Sequence, residues 1–159
     1  MTNKAFLLEC EQYIKNGGII SGSSFTPVVI PEHELIDTTA AKEYLNENRD
    51  LFFVQQLLSL IDKSDKKDSE IYKKAGIDRR LFSKIRSKKE YTPAKKTVIA
   101  LCLALELSRE DTDLLLSSAG YSLSRADDFD LAIAFCIEKK VYDFFEINEM
   151  LDYFGFEAF

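Results

Sequence analysis

The amino-acid sequence predicts an all-α fold, in which a five-helix bundle carries an N-terminal extension and extra C-terminal helices. Three observations support this prediction. Apolar residues recur at helical spacing in nearly every segment after Thr38. Glycines that can end helices follow two of these segments, at Gly76 and Gly120. Residues that cap helices, such as Asp78 and Ser108, precede the next apolar run. We therefore expect little or no sheet.

Composition fits one ordinary domain with an appendage. The chain has 159 residues, 46% of them apolar, with 12 Phe and 7 Tyr, which is enough to build a core. Its three cysteines, Cys10, Cys102 and Cys136, are widely separated and odd in number, as is typical of free thiols in a reducing compartment. No signal peptide and no apolar stretch of ~18 residues is apparent. We expect a cytoplasmic protein with no membrane contact.

Three regions are expected along the chain. Residues 1–49 hold a helix over 4–15 and an extended arm over 19–31. Residues 50–122 form a helix-turn-helix bundle, and residues 123–159 form a C-terminal helical extension that packs on the bundle or at a dimer interface. Further helices are predicted over Thr38 to Asn46, over Asp50 to Asp62, from Thr92-Pro93, after a Ser108 cap, over Asp127 to Lys140 and after Tyr142.

The most informative stretch is residues 67–86, where two short helices meet at a Gly-Ile-Asp turn. Gly76 can adopt the left-handed conformation that ends the first helix. Asp78 can cap the free amides of a second helix that begins at Arg79, and Ile77 can anchor both helices to one core. This arrangement is the plan of a helix-turn-helix.

The stretch from Lys67 to Thr112 resembles the repressor/Cro-like (xenobiotic-response-element type) helix-turn-helix family, without a gap. The resemblance implies a five-helix bundle, DNA binding and a role in transcription regulation. The matching residues are Ile71, Gly76, Ile77, Asp78, Phe82, Ser83, Ile85, Pro93, Thr97, Leu105, Ser108 and Glu110.

Two positions differ from the pattern of that family. Asp68 stands where the family often has a Gln that contacts the DNA backbone, and a carboxylate there is expected to repel phosphate. Tyr72 replaces a small Ala that lets the two helices pack closely. The spacing of the helices is therefore expected to differ from that of the family.

The charge of the chain is segregated. It carries 21 basic and 27 acidic side chains in total, yet residues 63–96 hold 13 Lys or Arg against five acids. That segment has a net charge of about +8, and the rest of the chain about −14. A basic patch attracts polyanions because binding releases their counterions. Charge runs are also common on solvated helices, so the position of the charges matters.

The second helix of the motif has one outward polar face and one apolar face. Arg79, Arg80, Ser83 and Lys84 share the outward face and are expected to meet base edges in a major groove. Lysines beyond the helix are expected to reach phosphates. The predicted nucleic-acid-binding residues are Arg79, Arg80, Ser83, Lys84, Arg86, Lys88, Lys89, Tyr91, Lys95 and Lys96.

The last third of the chain is rich in aromatic residues, among them Phe144, Phe145, Tyr153 and Phe154. Two uses remain open, namely packing back on the bundle and forming a dimer seam. Residues 50–154 also resemble a helical module at the C-terminal end of bacterial macrodomain-containing proteins, through Asp78-Arg-Arg-Leu-Phe-Ser-Lys-Ile-Arg, Ala119-Gly-Tyr-Ser-Leu-Ser and Tyr142-Asp-Phe-Phe-Glu-Ile-Asn-Glu. This second resemblance implies a recognition or adaptor unit.

Signatures of catalysis, metals and cofactors are scarce. His33, the only histidine, lies between two Glu residues after Pro31, where a surface loop is expected. No Cys or His cluster and no Gly-rich phosphate loop occurs. Acids in the tail suit helix N-termini better than a Mg²⁺ site; they are Asp127, Asp128, Asp130, Glu146 and Glu149. We expect a non-enzymatic protein with no metal and no cofactor.

Three hypotheses for function follow. The first is a DNA-binding regulator, which would act as a homodimer if it reads two-fold sites. The second is a protein-interaction (adaptor) module of a bacterial or phage regulatory or defence system, whose basic patch meets an acidic protein partner. The third is RNA or nonspecific nucleic-acid binding, with Tyr72 and Tyr91 stacking on bases beside Lys and Arg.

Overall fold

The computed structural model describes residues 37–48 and 51–159, in which all regular structure is α-helical. The predicted all-α class is confirmed for these residues. The helix expected over 4–15, the arm over 19–31, Cys10 and His33 lie outside them. The described helices are α1 (Thr38–Glu47), α2 (Phe53–Lys63), α3 (Asp68–Lys74), α4 (Arg79–Ser87), α5 (Lys95–Ala104), α6 (Arg109–Ser118), α7 (Asp128–Glu138) and α8 (Phe144–Tyr153).

Helix α1 belongs to a different compact unit from the other seven. The chain divides into Met1–Asn48 and Arg49–Phe159, and each unit is described by itself. In the first unit, Asp37 Oδ1 accepts hydrogen bonds from the backbone N–H groups of Thr39 (2.9 Å) and Ala40 (3.2 Å). The short capped helix predicted here is confirmed, with Asp37 as its cap.

Helix α5 lies at the centre of the second unit. All seven residues from Val98 to Ala104 are buried, because α3 and α6 both pack against it. A helix that is apolar on every side is stable only in such a position. Helix α2 packs against α4 and α6, and α3 packs against α4. The five helices α2 to α6 thus share one apolar core.

Two predicted helix starts are wrong by a few residues. Helix α2 begins at Phe53 rather than Asp50, because the side chain of Gln55 accepts a hydrogen bond from the Phe52 N–H and caps the helix there. Helix α5 begins at Lys95 rather than at Thr92-Pro93. Pro93 is buried before the helix.

The late start of α5 has a tertiary cause. The Pro93 carbonyl accepts a hydrogen bond from the Tyr121 hydroxyl at 3.1 Å, and Ala94 is extended, with φ −61° and ψ 151°. The carbonyl of Pro93 is therefore bonded to a side chain far along the chain. Proline often occupies the first turn of a helix, but Pro93 is instead buried just before α5.

Helices α7 and α8 pack in the same core as the bundle. Helix α7 is capped by Asp127 and α8 by Asp143, and α7 contacts both α6 and α8. The predicted apolar stripe of α7 is confirmed, since Ile133, Cys136 and Ile137 are buried. Ile147 and Leu151 of α8 are fully buried. The C-terminal extension is therefore part of the structural core of its unit.

The aromatic residues of the extension divide into two groups. The rings of Phe129, Phe144, Phe156 and Phe159 pack against the core and against one another, with centroids between 5.6 and 6.2 Å apart. Other large apolar side chains are exposed: Leu131, Phe135, Phe145, Tyr153 and Phe154. Packing back on the bundle accounts for the first group. The dimer seam remains a prediction for the second.

Both described cysteines behave as small apolar residues, as their apolar surroundings predict. Cys102 and Cys136 are free and buried. Burial raises the pKa of the Cys102 thiol to about 12, and it raises the pKa of Cys136 as well. A raised pKa keeps a thiol protonated and therefore unreactive at neutral pH.

Candidate nucleic-acid interface

Helices α3 and α4 form the predicted pair of helices around the predicted turn. Gly76 has φ +66°, and the N–H of Ile77 donates to the carbonyl of Tyr72 at 2.9 Å, which closes the end of α3. Asp78 caps α4 by accepting a hydrogen bond from the Arg80 N–H at 3.3 Å. The left-handed glycine and the aspartate cap are both confirmed. The turn therefore sets the direction in which α4 leaves α3.

The inner side of this pair is anchored in the core. Ile71 of α3 and Ile85 of α4 are fully buried, and Phe82 is 4% exposed. Tyr72, at the position where the repressor/Cro-like resemblance predicts a small Ala, is half-buried with its ring centroid 5.7 Å from that of Phe82. The larger side chain is accommodated beside the phenyl ring. Helix α4 is consequently held by apolar contacts along one side.

The outer side of α4 carries the polar face that the sequence predicts. We call Arg79, Arg80, Ser83 and Lys84 the basic face of α4; all four are exposed. Within the described part of the chain, no carboxylate forms an ion pair with Arg79 or Arg80. These cations are therefore available to an external anion.

One lysine of the basic face and one lysine just after α4 rest on aromatic rings. Lys84 Nζ lies 4.2 Å from the ring centroid of Tyr91, and Lys89 Nζ lies 4.9 Å from that of Phe52. Tyr91 is half-buried and Lys88 is exposed. Such cation–π contacts orient an ammonium group without neutralising it. Both ammonium groups thus lie at the surface, that of Lys84 on α4 and that of Lys89 just after the helix.

Lys95 and Lys96 lie elsewhere, bonded to the C-terminal extension. Lys95 Nζ contacts Asp130 Oδ2 at 2.5 Å. Lys96 Nζ donates to the carbonyl of Ala158 at 2.7 Å and lies 3.2 Å from Glu157 Oε2. Eight of the ten predicted binding residues therefore lie on or near α4. Lys95 and Lys96 instead contact α7 and the final residues of the chain.

Asp130 is the residue that sequence reasoning missed. The sequence predicts an acid that complements the start of a helix, but only 2% of Asp130 is exposed. Its Oδ2 accepts hydrogen bonds from Lys95 Nζ and from the N–H of Ser124 at 2.7 Å. A buried carboxylate needs such partners. The one sequence signal for its burial is its position four residues before Ala134, on the apolar side of α7.

Arg86 forms an ion pair with Asp68, which joins α4 to the start of α3. Both side chains are partly exposed, 47% for Arg86 and 40% for Asp68. Asp68 therefore pairs with one of the predicted binding residues. Among the cations predicted on or near α4, Arg86 is the one that forms an ion pair with Asp68.

Glu106 links α3 to the end of α5. Its Oε1 lies 2.6 Å from Lys74 Nζ and 3.1 Å from Lys66 Nζ. The hydrogen bond from Lys74, followed by that from Lys66, lowers the pKa of the Glu106 carboxyl below its ordinary value of 4.5. This exposed cluster restrains the first helix of the motif against the central helix.

We expect Glu106→Gln to lower stability at neutral pH by about 1 kcal/mol or less, because exposed ion pairs contribute little. The folded-state pKa is depressed, so the stabilisation is present above the ordinary pKa of 4.5 and is lost as pH falls through the folded value. Urea unfolding at pH 7 and at pH 3 measures the difference. Glu149→Gln, an exposed acid outside the ion pairs of the described residues, is the control. A loss that did not decrease between pH 7 and pH 3 would contradict the ion-pair account.

The described residues offer few other candidate sites. In residues 37–48 and 51–159, no three His, Cys, Asp or Glu side chains are grouped so that they could hold a metal ion. No helix in those ranges is both long and apolar enough to cross a membrane. Comparisons with known protein families, curated proteins and solved structures find no match to this chain. The helical pair and its basic face are the first features on which a function can be argued.

Proposed function

We propose that this chain is a DNA-binding regulatory protein of the repressor/Cro-like helix-turn-helix type, with α4 as the helix that enters a major groove. The observation that carries the proposal is the basic face of α4. It lies on a capped nine-residue helix whose opposite side is anchored by Phe82 and Ile85. A rigidly held helix with exposed Arg, Ser and Lys among its first six residues suits the reading of base edges.

The proposed roles follow from exposure and bonding. The basic face of α4 would read bases, and Lys88 and Lys89 would contact phosphates. Lys95 and Lys96 are weaker candidates because their ammonium groups are bonded to the C-terminal extension. Such a protein would bind DNA in the cytoplasm without catalysis or a cofactor. The net charge of about +8 in residues 63–96 would draw DNA toward this surface.

We expect Arg79→Ala with Arg80→Ala to lower the preference for a selected DNA site over random DNA, since a good Arg–guanine pair contributes about 1–3 kcal/mol. Lys88→Ala with Lys89→Ala is the matched double variant, because it removes the same charge next to the same helix. It should weaken binding to both DNAs equally and flatten the salt dependence by about 0.9 for each phosphate that is no longer neutralised. Fluorescence anisotropy titrations over a range of salt concentrations measure both effects.

Two outcomes of that experiment would contradict the proposal. The first is an equal loss of affinity for both DNAs in the two double variants, with discrimination unchanged, which would leave only a nonspecific or RNA-binding surface. An RNA duplex and a single-stranded RNA in the same titrations identify that case. The second is no binding of the wild-type protein to any nucleic acid at low salt, where electrostatic attraction is strongest.

A protein-interaction module is the second candidate, and an exposed apolar surface favours it. Leu131, Phe135 and Phe154 are between 44% and 58% exposed. They line, with Met150, a groove of about 610 Å³ on α7 and α8. Clustered apolar side chains at a surface often mark protein contacts. In this case the basic face of α4 would meet an acidic protein partner, and nucleic-acid binding would be absent.

A further inference from the structure

A groove between α3 and α4 is lined by groups that suit an anion. Its volume is about 550 Å³, within the range of ligand-binding clefts. The cations and hydroxyl-bearing residues that line it are Lys67, Ser69, Tyr72, Arg79, Ser83 and Arg86. Asp68 is the one acid among its described lining residues. The groove opens beside the basic face of α4, because Arg79 and Ser83 belong to both.

The carboxylate of Asp68 forms an ion pair with Arg86, the cation that an anion bound in this groove would contact. Arg86 donates to Asp68 Oδ2. A guanidinium binds carboxylate and phosphate oxygens in the same way, so the two anions would compete for it. Both side chains of the pair are partly exposed, and an exposed ion pair contributes little to the stability of a protein. It can therefore be opened by substitution without loss of buried interactions.

We infer that Arg86 and the hydroxyls of the α3–α4 groove form a binding site for a backbone phosphate of nucleic acid, and that Asp68 occupies this site and weakens binding. The inference rests on the proposed function, and it adds that one residue of the interface weakens DNA binding. Asp68 acts both by pairing with Arg86 and by placing a negative charge where the phosphate would lie. Removing the carboxylate exposes one more cation to the DNA backbone.

The test compares Asp68→Asn with Glu90→Gln in binding to a random-sequence DNA duplex. Both substitutions remove one negative charge from the basic segment, but Glu90 is exposed and lies outside the ion pairs of the described residues. We expect Asp68→Asn to raise affinity about tenfold, as a charge-assisted hydrogen bond to phosphate should. Its salt slope should steepen by about 0.9, the value for one additional neutralised phosphate. Glu90→Gln should leave the slope unchanged.

Adding Arg86→Met to Asp68→Asn separates the contact from the charge. If the freed guanidinium binds a phosphate, the double variant returns to the salt slope of the wild-type protein. Thermal unfolding followed by circular dichroism checks that each variant is folded. Asp68→Ser provides a second neutral residue if Asn lowers the stability of α3.

The outcomes distinguish this inference from the proposed function. If the wild-type protein binds DNA and Asp68→Asn behaves like Glu90→Gln, Asp68 is only a link between two helices and the inference fails alone. If Asp68→Asn weakens binding, the inference fails in the same way. If neither the wild-type protein nor Asp68→Asn binds DNA at low salt, both proposals fail. Binding by Asp68→Asn with the steeper slope supports both.

Discussion

Phe82→Ala should lower the free energy of unfolding by about 3–5 kcal/mol, the usual cost of truncating a buried Phe. Phe82 is 4% exposed and its ring packs beside that of Tyr72, at a centroid distance of 5.7 Å. The substitution leaves a cavity between α3 and α4 that neighbouring helices cannot fill without moving. Urea unfolding followed by circular dichroism measures the loss.

Arg80→Ala is the matched control on the same helix. Arg80 is exposed, and surface substitutions of this kind usually change stability by about 0.5 kcal/mol or less. If Arg80→Ala cost more than Phe82→Ala, the assigned inner and outer sides of α4 would be exchanged. The basic face of α4, and the proposed function with it, would then be wrong.

Leu151→Ala should lower the free energy of unfolding by about 2–5 kcal/mol. Leu151 lies on α8 and is fully buried in the core that α7 and α8 share with the bundle. A large loss is therefore expected although the residue is distant in sequence from α3 and α4. The loss should also appear as a lower midpoint of urea unfolding, with little change in its slope.

Phe145→Ala is the control for α8, because that ring is 72% exposed and should contribute little. Equal effects of the two substitutions would mean that the inner and outer sides of α8 are wrongly assigned. An effect of Leu151→Ala limited to a minor early transition would mean that α8 unfolds separately from the bundle. The C-terminal extension would then be an accessory and not part of the core.

Local sequence patterns predicted the helices and their ends well. Gly76 takes the positive φ expected of it, and Asp78 and Ser108 cap the helices that follow them. These features depend on backbone geometry and on hydrogen bonds between residues a few positions apart. The predicted starts of α2 and α5 were less accurate. Pro93 stands outside its helix because its carbonyl bonds with Tyr121, 28 positions away, and no local pattern contains that contact.

The candidate site was predicted only in part. Spacing along one helix was sufficient to place Arg79, Arg80, Ser83 and Lys84 on one exposed face. The same reasoning grouped Lys95 and Lys96 with them, because all are basic and close in sequence. The fold turns these two lysines toward Asp130 and Glu157. Charge in a sequence window gives the composition of a patch but not the partners of its members.

The sequence alone was enough to establish the helical class and the outward face of α4, since periodicity and capping act within one or two helical turns. The availability of each cation depends on the folded chain. Arg86 meets Asp68 across the helical pair, and Lys95 meets a buried carboxylate 35 positions away. Such pairings arise when helices from distant segments pack together and apolar burial sets their relative positions. That packing leaves Arg79 and Arg80 exposed.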